Sequence, residues 1–384
     1  MAQTSLHQPL PTIDNSRDHL HTSAYVRNAT LDRDRQVTAY STHCDDEVQR
    51  SIKAIVQYLL REVPEFRRLS ELREKGWQNP KGDVFFEKQR QNADHADEKT
   101  AKHFYSMMKE IGQDMNQRTD VFRIKSACPG PHYILDMCMA PGGFLEKALM
   151  VNPRARATGF SLPRREGGHK VLLPKTYNVS LKFLDITLLA ADMGRVEIPN
   201  DHPDAKRFLP RQFAPGQAFD MVICDGQVLR CHDRAAYRER REATRLTLTQ
   251  LALGLEHVKP GGTLIVLLHK LEALDTVKLL YTFASFSSIQ LFKHDKFHAK
   301  RSSFYLIATN IRSDGLEAAT AVKEWKRLWD IATFGTDDMY HHARHQCGPH
   351  IDLILEEFGP RLAMIGKHIW EIQADALARA PFLK

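Results

Sequence analysis

The chain has 384 residues, 42% of them hydrophobic, which is enough for one large domain with additions or for two domains. Its net charge of +7, with 19 histidines that add positive charge below neutral pH, suits an anionic partner such as RNA. The six cysteines (44, 128, 138, 224, 231 and 347) form no CxxC pair, and no apolar stretch is as long as a membrane span, so neither a disulfide-stapled scaffold nor a membrane partner is expected. The N-terminal residues carry no apolar signal core and do carry acids, so the expected compartment is cytoplasm or nucleus.

Residues 1–43 are polar and aperiodic, and they predict a disordered arm. A helical extension over 44–98 follows. Val48, Ile52, Ile55, Val56, Leu59 and Leu60 form an apolar stripe ended by Pro64, and 65–98 reads as a helix-loop connection. An amphipathic helix over 97–115 leads into a core domain assigned to 99–312. Strands are predicted at 133–137, 155–161, 179–184, 219–224 and 262–268, with helices at 144–151, 233–257 and 273–284. Such alternation, with near-continuous apolar strands, predicts a doubly wound α/β fold with a mostly parallel sheet covered on both faces. The runs 288–293 and 304–310 are too close for a helical crossover and predict an antiparallel hairpin at the end of the sheet. Residues 195–217 read as a surface insertion, and a helical extension over 313–384 closes the chain, with a last helix starting near Pro360.

A parallel sheet binds ligands beyond the carboxyl ends of its strands. Asp136, Asp225 and Lys270 all stand at such ends. The first strand breaks at Gly142 and Gly143, where a ligand can approach bare backbone at the start of a helix. A tight turn of an ordinary α/β protein would look the same at this point.

Three segments together are more specific. The motif D-x-C-x-A-P-G-G-F (136–144), the strand end DMVICDG (220–226) and the run LIVLLHK (264–270) resemble, in order, conserved blocks of the FtsJ/RrmJ-like RNA ribose 2′-O-methyltransferases. KRSSFYLIA (300–308) resembles that family's closing strand. The resemblance covers roughly residues 100–310 and implies a Rossmann-like class I methyltransferase fold that uses S-adenosyl-L-methionine. It implies cofactor contacts from Asp136, Ala140, Pro141, Gly142, Gly143, Phe144, Phe160, Ser161, Asp185 and Asp225, with Asp185 at the adenine amino group. The turn lacks the GxGxxG fingerprint, which sets NAD aside.

The family's Lys-Asp-Lys-Glu tetrad maps Asp225 and Lys270 onto its second and third places, so the resemblance implies that these two residues carry catalysis. Ser303 stands at the place of the glutamate, and Met107 at that of the first lysine, with Lys102 and Lys109 nearby. Three functions stay open: a ribose methyltransferase, a methyltransferase for a small acceptor, and a catalytically silent binder of RNA or cofactor. For RNA, Arg234, Arg238, Arg241 and Arg245 recur at helical spacing after Asp225, and KHDKFHAKR (293–301) adds Lys296, Lys300 and Arg301 beside Phe297. A solvated face balanced by Glu239 and Glu242 would show the same arginine spacing. His341, His342, His345, Cys347 and His350 lack a second cysteine or an HExxH acid, so no metal site is assigned.

Overall fold

The structure, a computed structural model, describes residues 39–94, 97–125, 130–175, 177–345 and 348–383. The predicted arm falls outside the described residues up to 38, as do Cys128 and Cys347. Four helices open the described chain: α1 (Ala39–Glu62), α2 (Pro64–Trp77), α3 (Pro80–Asp94) and α4 (Glu98–Thr119). Pro64 ends α1 by occupying the first turn of α2, where its missing N–H costs nothing. The segment predicted as a helix-loop is thus two helices, and α1 begins inside the predicted arm.

Seven strands follow: β1 (Tyr133–Asp136), β2 (Arg156–Ser161), β3 (Val179–Phe183), β4 (Phe219–Cys224), β5 (Val258–His269), β6 (Ser288–Phe292) and β7 (Ser303–Thr309). They form one sheet in the order β3-β2-β1-β4-β5-β7-β6. β1 to β5 pair in parallel, whereas β7 is antiparallel to both β5 and β6. The order reverses between β2-β1 and β4, which is where a doubly wound sheet opens a crevice. The Rossmann-like architecture and its terminal hairpin are as expected from the strand pattern.

Helices α5 (Gly143–Val151), α6 (Glu242–His257), α7 (Leu274–Phe286), α8 (Leu316–Phe334), α9 (Asp337–His345) and α10 (Ile351–Ala378) complete the fold. Because side chains alternate along a strand, the sheet feeds two cores. Leu135, Val222, Leu264 and Val266 pack with α1, α2, α6, α7, α8 and α10. Ile134, Met221, Ile223 and Ile265 pack with α4 and α5. Pro360 lies inside α10 rather than at its start. The 195–217 segment, expected as a surface insertion, holds no regular element but buries Asp204 and Phe213.

The end helices are fixed to the carboxyl-end edge of the sheet, just after β5. In a buried cluster Arg73 of α2 donates to Glu272 (2.7 Å) and to Gln373 of α10 (3.0 Å). No helix among the described residues is long and apolar enough to cross a membrane.

Candidate active site

A cleft of about 250 Å³ opens at the carboxyl ends of β1, β2, β4 and β5. Its walls include Ala140, Pro141 and Phe144 from the first turn, Ser161 and Leu162 after β2, Asp185 to Thr187 after β3, and Asp225 to Leu229 after β4. These are the segments the sequence singled out. Two of their polar atoms stand out: Asp225 Oδ1 and Ser161 Oγ are buried and have no hydrogen-bond partner among the described residues. A buried polar atom left unpaired is costly, and two of them at one cleft are places that a ligand's polar groups can complete.

The acids at the strand ends form a pair. Asp136 is buried, and its Oδ1 accepts a long bond from the Cys138 N–H (3.2 Å). Burial, then the neighbouring Asp225 carboxylate, pushes its pKa well above the usual carboxylate range. Burial raises Asp225 to about 7. Only Asp225 lines the cleft; Asp136, an expected cofactor contact, lies buried behind it, and the two carboxyls raise each other's cost of ionising.

Not every expected contact is made. Gly142, at φ 109°, caps α5 in the left-handed region that glycine tolerates. Gly143 is bare because helix α4 crosses it, not because a ligand approaches: a Cβ there would lie 2.7 Å from Met108 Cβ and from the Tyr105 carbonyl. Neither glycine lines the cleft. Phe160 is fully buried edge-on against Phe213, because strand alternation turns it into the core while Ser161 turns toward the cleft.

Asp185 lines the cleft but is already engaged. Its Oδ1 accepts from the Thr187 N–H (2.9 Å), and its Oδ2 accepts from Arg238 (2.6 Å). Burial opposes its ionisation, but the charge and hydrogen bonds of Arg238 outweigh that and hold its pKa below the ordinary value. Arg238 also donates to Glu242 (2.8 Å), and Arg245 donates to Glu242 (2.7 Å), Thr333 (3.0 Å) and the Thr187 carbonyl (2.9 Å).

This network corrects the proposed arginine row. The helix expected from 233 starts only at Glu242, after a single 3₁₀ turn at Ala236–Arg238, so the four guanidinium groups share no outer face. Arg238 and Arg245 are buried against the cleft floor, and Arg241 is buried on Asp337 and the Gly335 carbonyl. Arg234 is folded onto Glu239 and the Leu229 carbonyl. In the second basic stretch, Lys300 lies over the Phe85 ring and Arg301 donates to Gln89, both of α3. Lys296 remains 65% exposed in a surface pair with Glu110, which leaves it available to a partner.

Lys270 is not brought to the site either. It follows β5 in a left-handed conformation (φ 48°) and lines neither the cleft nor the recess beside it. Alternation along β5 instead aims Leu267 into the cleft and His269 into the recess. Opposite them on β7 stand Tyr305 and Ser303.

That recess, of about 50 Å³, lies against the 293–301 loop and shares Ile111, Gln227, Leu267, His298 and Tyr305 with the cleft. Lys293 is buried at its edge and donates to the carbonyls of His298, Arg301 and Ser303. Burial, then the charge of Arg73, lowers its pKa to about 7. The sequence had offered this loop as a surface for RNA. It gave no hint that His298, His169 and His232 would face the cleft.

The family described as FtsJ-like methyltransferase matches residues 113–311, from the middle of α4 to the end of the hairpin. The chain belongs to the FtsJ-like methyltransferase family. Solved structures to which it is similar include an O-methyltransferase family protein from Burkholderia thailandensis, at 14% identity over 64% of this chain and 72% of that one, with a TM-score of 0.31. The N-methyltransferase NodS from Bradyrhizobium japonicum WM9 is 16% identical over 52% of this chain and 97% of that one, with a TM-score of 0.32. TrmN from Thermus thermophilus is 12% identical over 52% of this chain and 48% of its own, with a TM-score of 0.30. Likenesses this distant carry nothing about cofactor or acceptor. No curated protein matches the chain.

Proposed function

We propose that this FtsJ-like methyltransferase uses S-adenosylmethionine to methylate a ribose 2′-hydroxyl of RNA. The observation that carries the cofactor half is the pair of buried atoms without a partner among the described residues, Asp225 Oδ1 and Ser161 Oγ, both from residues that line one cleft, with Asp136 buried behind Asp225. S-adenosylmethionine would supply an electrophilic methyl group on a sulfonium sulfur and bring two positive centres, which suits the Asp136–Asp225 pair. Ser161 gives a hydroxyl for a polar group at the end of β2. The slot between Ile186, Leu229 and Leu246 is apolar, with Asp185 and a neutral His232 at its edge, and fits a flat heterocycle.

The acceptor half rests on the family and on the recess. Phe297 and His294 offer rings, and Lys296 on the same loop offers a positive charge. The burial of the arginine row means that RNA would be held by this loop rather than by the segment after β4.

A second reading, a cofactor-binding protein without turnover, is favoured by Leu267, which puts an apolar side chain where β5 meets the cleft. Incubation with methyl-labelled S-adenosylmethionine and total RNA, then digestion to nucleosides, separates the two. Label in 2′-O-methyl nucleosides supports the proposal. Label recovered only in small molecules would move the acceptor to that class. Tight cofactor binding with no transfer to either would favour the silent protein.

A further inference from the structure

His298 is held in an unusual way. Its backbone is left-handed (φ 53°), a conformation uncommon outside glycine that histidine adopts more readily than most residues. Its carbonyl accepts from Lys293 Nζ (3.2 Å) and from the Arg301 N–H (2.9 Å). The loop around it is braced from several sides. His294 Nδ1 accepts from the N–H groups of Lys296 (3.0 Å) and Phe297 (3.2 Å), and Gln373 of α10 donates to the Lys300 carbonyl (3.3 Å).

The imidazole so positioned has no hydrogen-bond partner among the described residues, although it stands where the cleft and the recess meet. The residue is solvent-exposed, so in the ligand-free protein water serves its ring nitrogens. A fixed backbone presenting an uncommitted ring to a cleft is how a first-contact residue is preorganised.

We propose that the recess between β5, β7 and the 293–301 loop is the acceptor subsite, and that the His298 imidazole is the base that takes the acceptor's proton. This rests on the reading of the cleft as the cofactor site. The recess has room for the reacting end of an acceptor, not for a whole nucleotide, and opens beside Asp225 and Leu267. As a lone pair of the acceptor oxygen forms the new C–O bond, the methyl–sulfur bond breaks and its electrons stay on sulfur, leaving a neutral thioether. The O–H proton passes to the imidazole and from there to solvent.

A strong base is not required, because the oxygen becomes acidic as the C–O bond forms. Crowding by the loop and the charges of Arg301, Lys293, His269 and His294 lower the His298 pKa from its ordinary value of about 6.5, so the ring is neutral and its lone pair available at pH 7.

The test is His298→Asn, which keeps a residue type that tolerates the left-handed backbone but cannot accept the proton. Calorimetric titration of wild type and variant with S-adenosylmethionine comes first. Loss of binding by the wild type would sink the cofactor reading itself. With binding within about threefold between the two proteins, the expected result is a fall in turnover on RNA of about a hundredfold, partly restored by added imidazole. Unchanged turnover would overturn the role of His298 and leave the cofactor site standing.

A readout independent of turnover is the ring resonance of His298, assigned by its absence from the variant. An eight-residue oligoribonucleotide should shift it in cofactor-loaded protein, and the all-deoxy oligomer should shift it less. No shift with either oligomer would remove the subsite.

Discussion

Replacing Asp225 with Asn should make the ligand-free protein more stable, and more so as the pH rises. In the folded chain the Asp225 carboxyl titrates near 7, against an ordinary value of about 3.9 when unfolded. The folded state therefore holds the proton more tightly. The stability this contributes is complete below about pH 4 and is lost as the pH rises through about 7. Three pK units at about 1.4 kcal/mol each amount to about 4 kcal/mol, of which roughly 2 kcal/mol is lost between pH 5.5 and pH 7.

The asparagine has no carboxyl to titrate and so escapes this loss. A chain of 384 residues has an unfolding entropy of about 0.8 kcal/mol/K, so a 2 kcal/mol gain corresponds to about 2–3 °C in Tm. Calorimetric melts of both proteins at pH 5.5 and pH 8 should show the variant's advantage growing by that amount. A Tm difference independent of pH, or one that shrinks toward pH 8, would refute a strained carboxylate at this site. The variant should also lose affinity for S-adenosylmethionine. Wild-type binding should weaken below pH 7 and release protons there, because a cation selects the ionised pair; titrations in buffers of different ionisation enthalpy read that release.

Arg238→Ala should cost about 3–5 kcal/mol in urea unfolding, because it strands Asp185 as a buried charge and leaves Glu242 to Arg245 alone; a cost below about 1 kcal/mol would mean that the network is wetter than its burial indicates. Ser161→Ala should leave the melting temperature unchanged, since its Oγ has no internal partner, and weaken S-adenosylmethionine binding about three- to tenfold. Gly143→Ala should destabilise the protein by about 1–3 kcal/mol through the clash with α4 while sparing cofactor affinity in the molecules that remain folded, as melting and titration would show. Lys270→Ala should leave turnover within about threefold of wild type, and a loss of a hundredfold would restore a base at that position.

The sheet was legible because its signal is local. Continuous apolar strands, alternating helices and a run too short for a crossover gave the order of elements, and the Pro-Gly-Gly turn gave the place of the crevice. Which side chains enter the crevice depends on a period of two within each strand, and there the reading slipped. Along LIVLLHK, Leu267 and His269 share the cleft side, so a lysine at 270 falls past the strand end. The same rule separates Phe160 from Ser161. Both could have been read from alternation alone. The arginines could not: their three- and four-residue spacing is the same on a solvated face and in a buried network. What decides is Asp185 and Thr333, respectively 53 residues before Arg238 and 88 residues after Arg245.

The buried arginines change what the segment after β4 is for. Two guanidinium groups neutralise Asp185 and Glu242 beneath the slot, and Arg238 also reaches Asp204 of the 195–217 insertion at 3.6 Å. The segment therefore sets the charge and shape of the cleft floor from inside. If the acceptor is RNA, as proposed above, the loop before β7 with its exposed Lys296 is then the basic element assigned to it. That loop is itself held by helices outside the family's matched span: α3 through Gln89 and Phe85, and α10 through Gln373. On this arrangement the end helices are part of the active edge, because they fix the loop that carries Phe297 and His298. Loosening them, for instance by Gln373→Ala, would reach the acceptor side through the Lys300 carbonyl while leaving Asp136, Ser161 and Asp225 untouched.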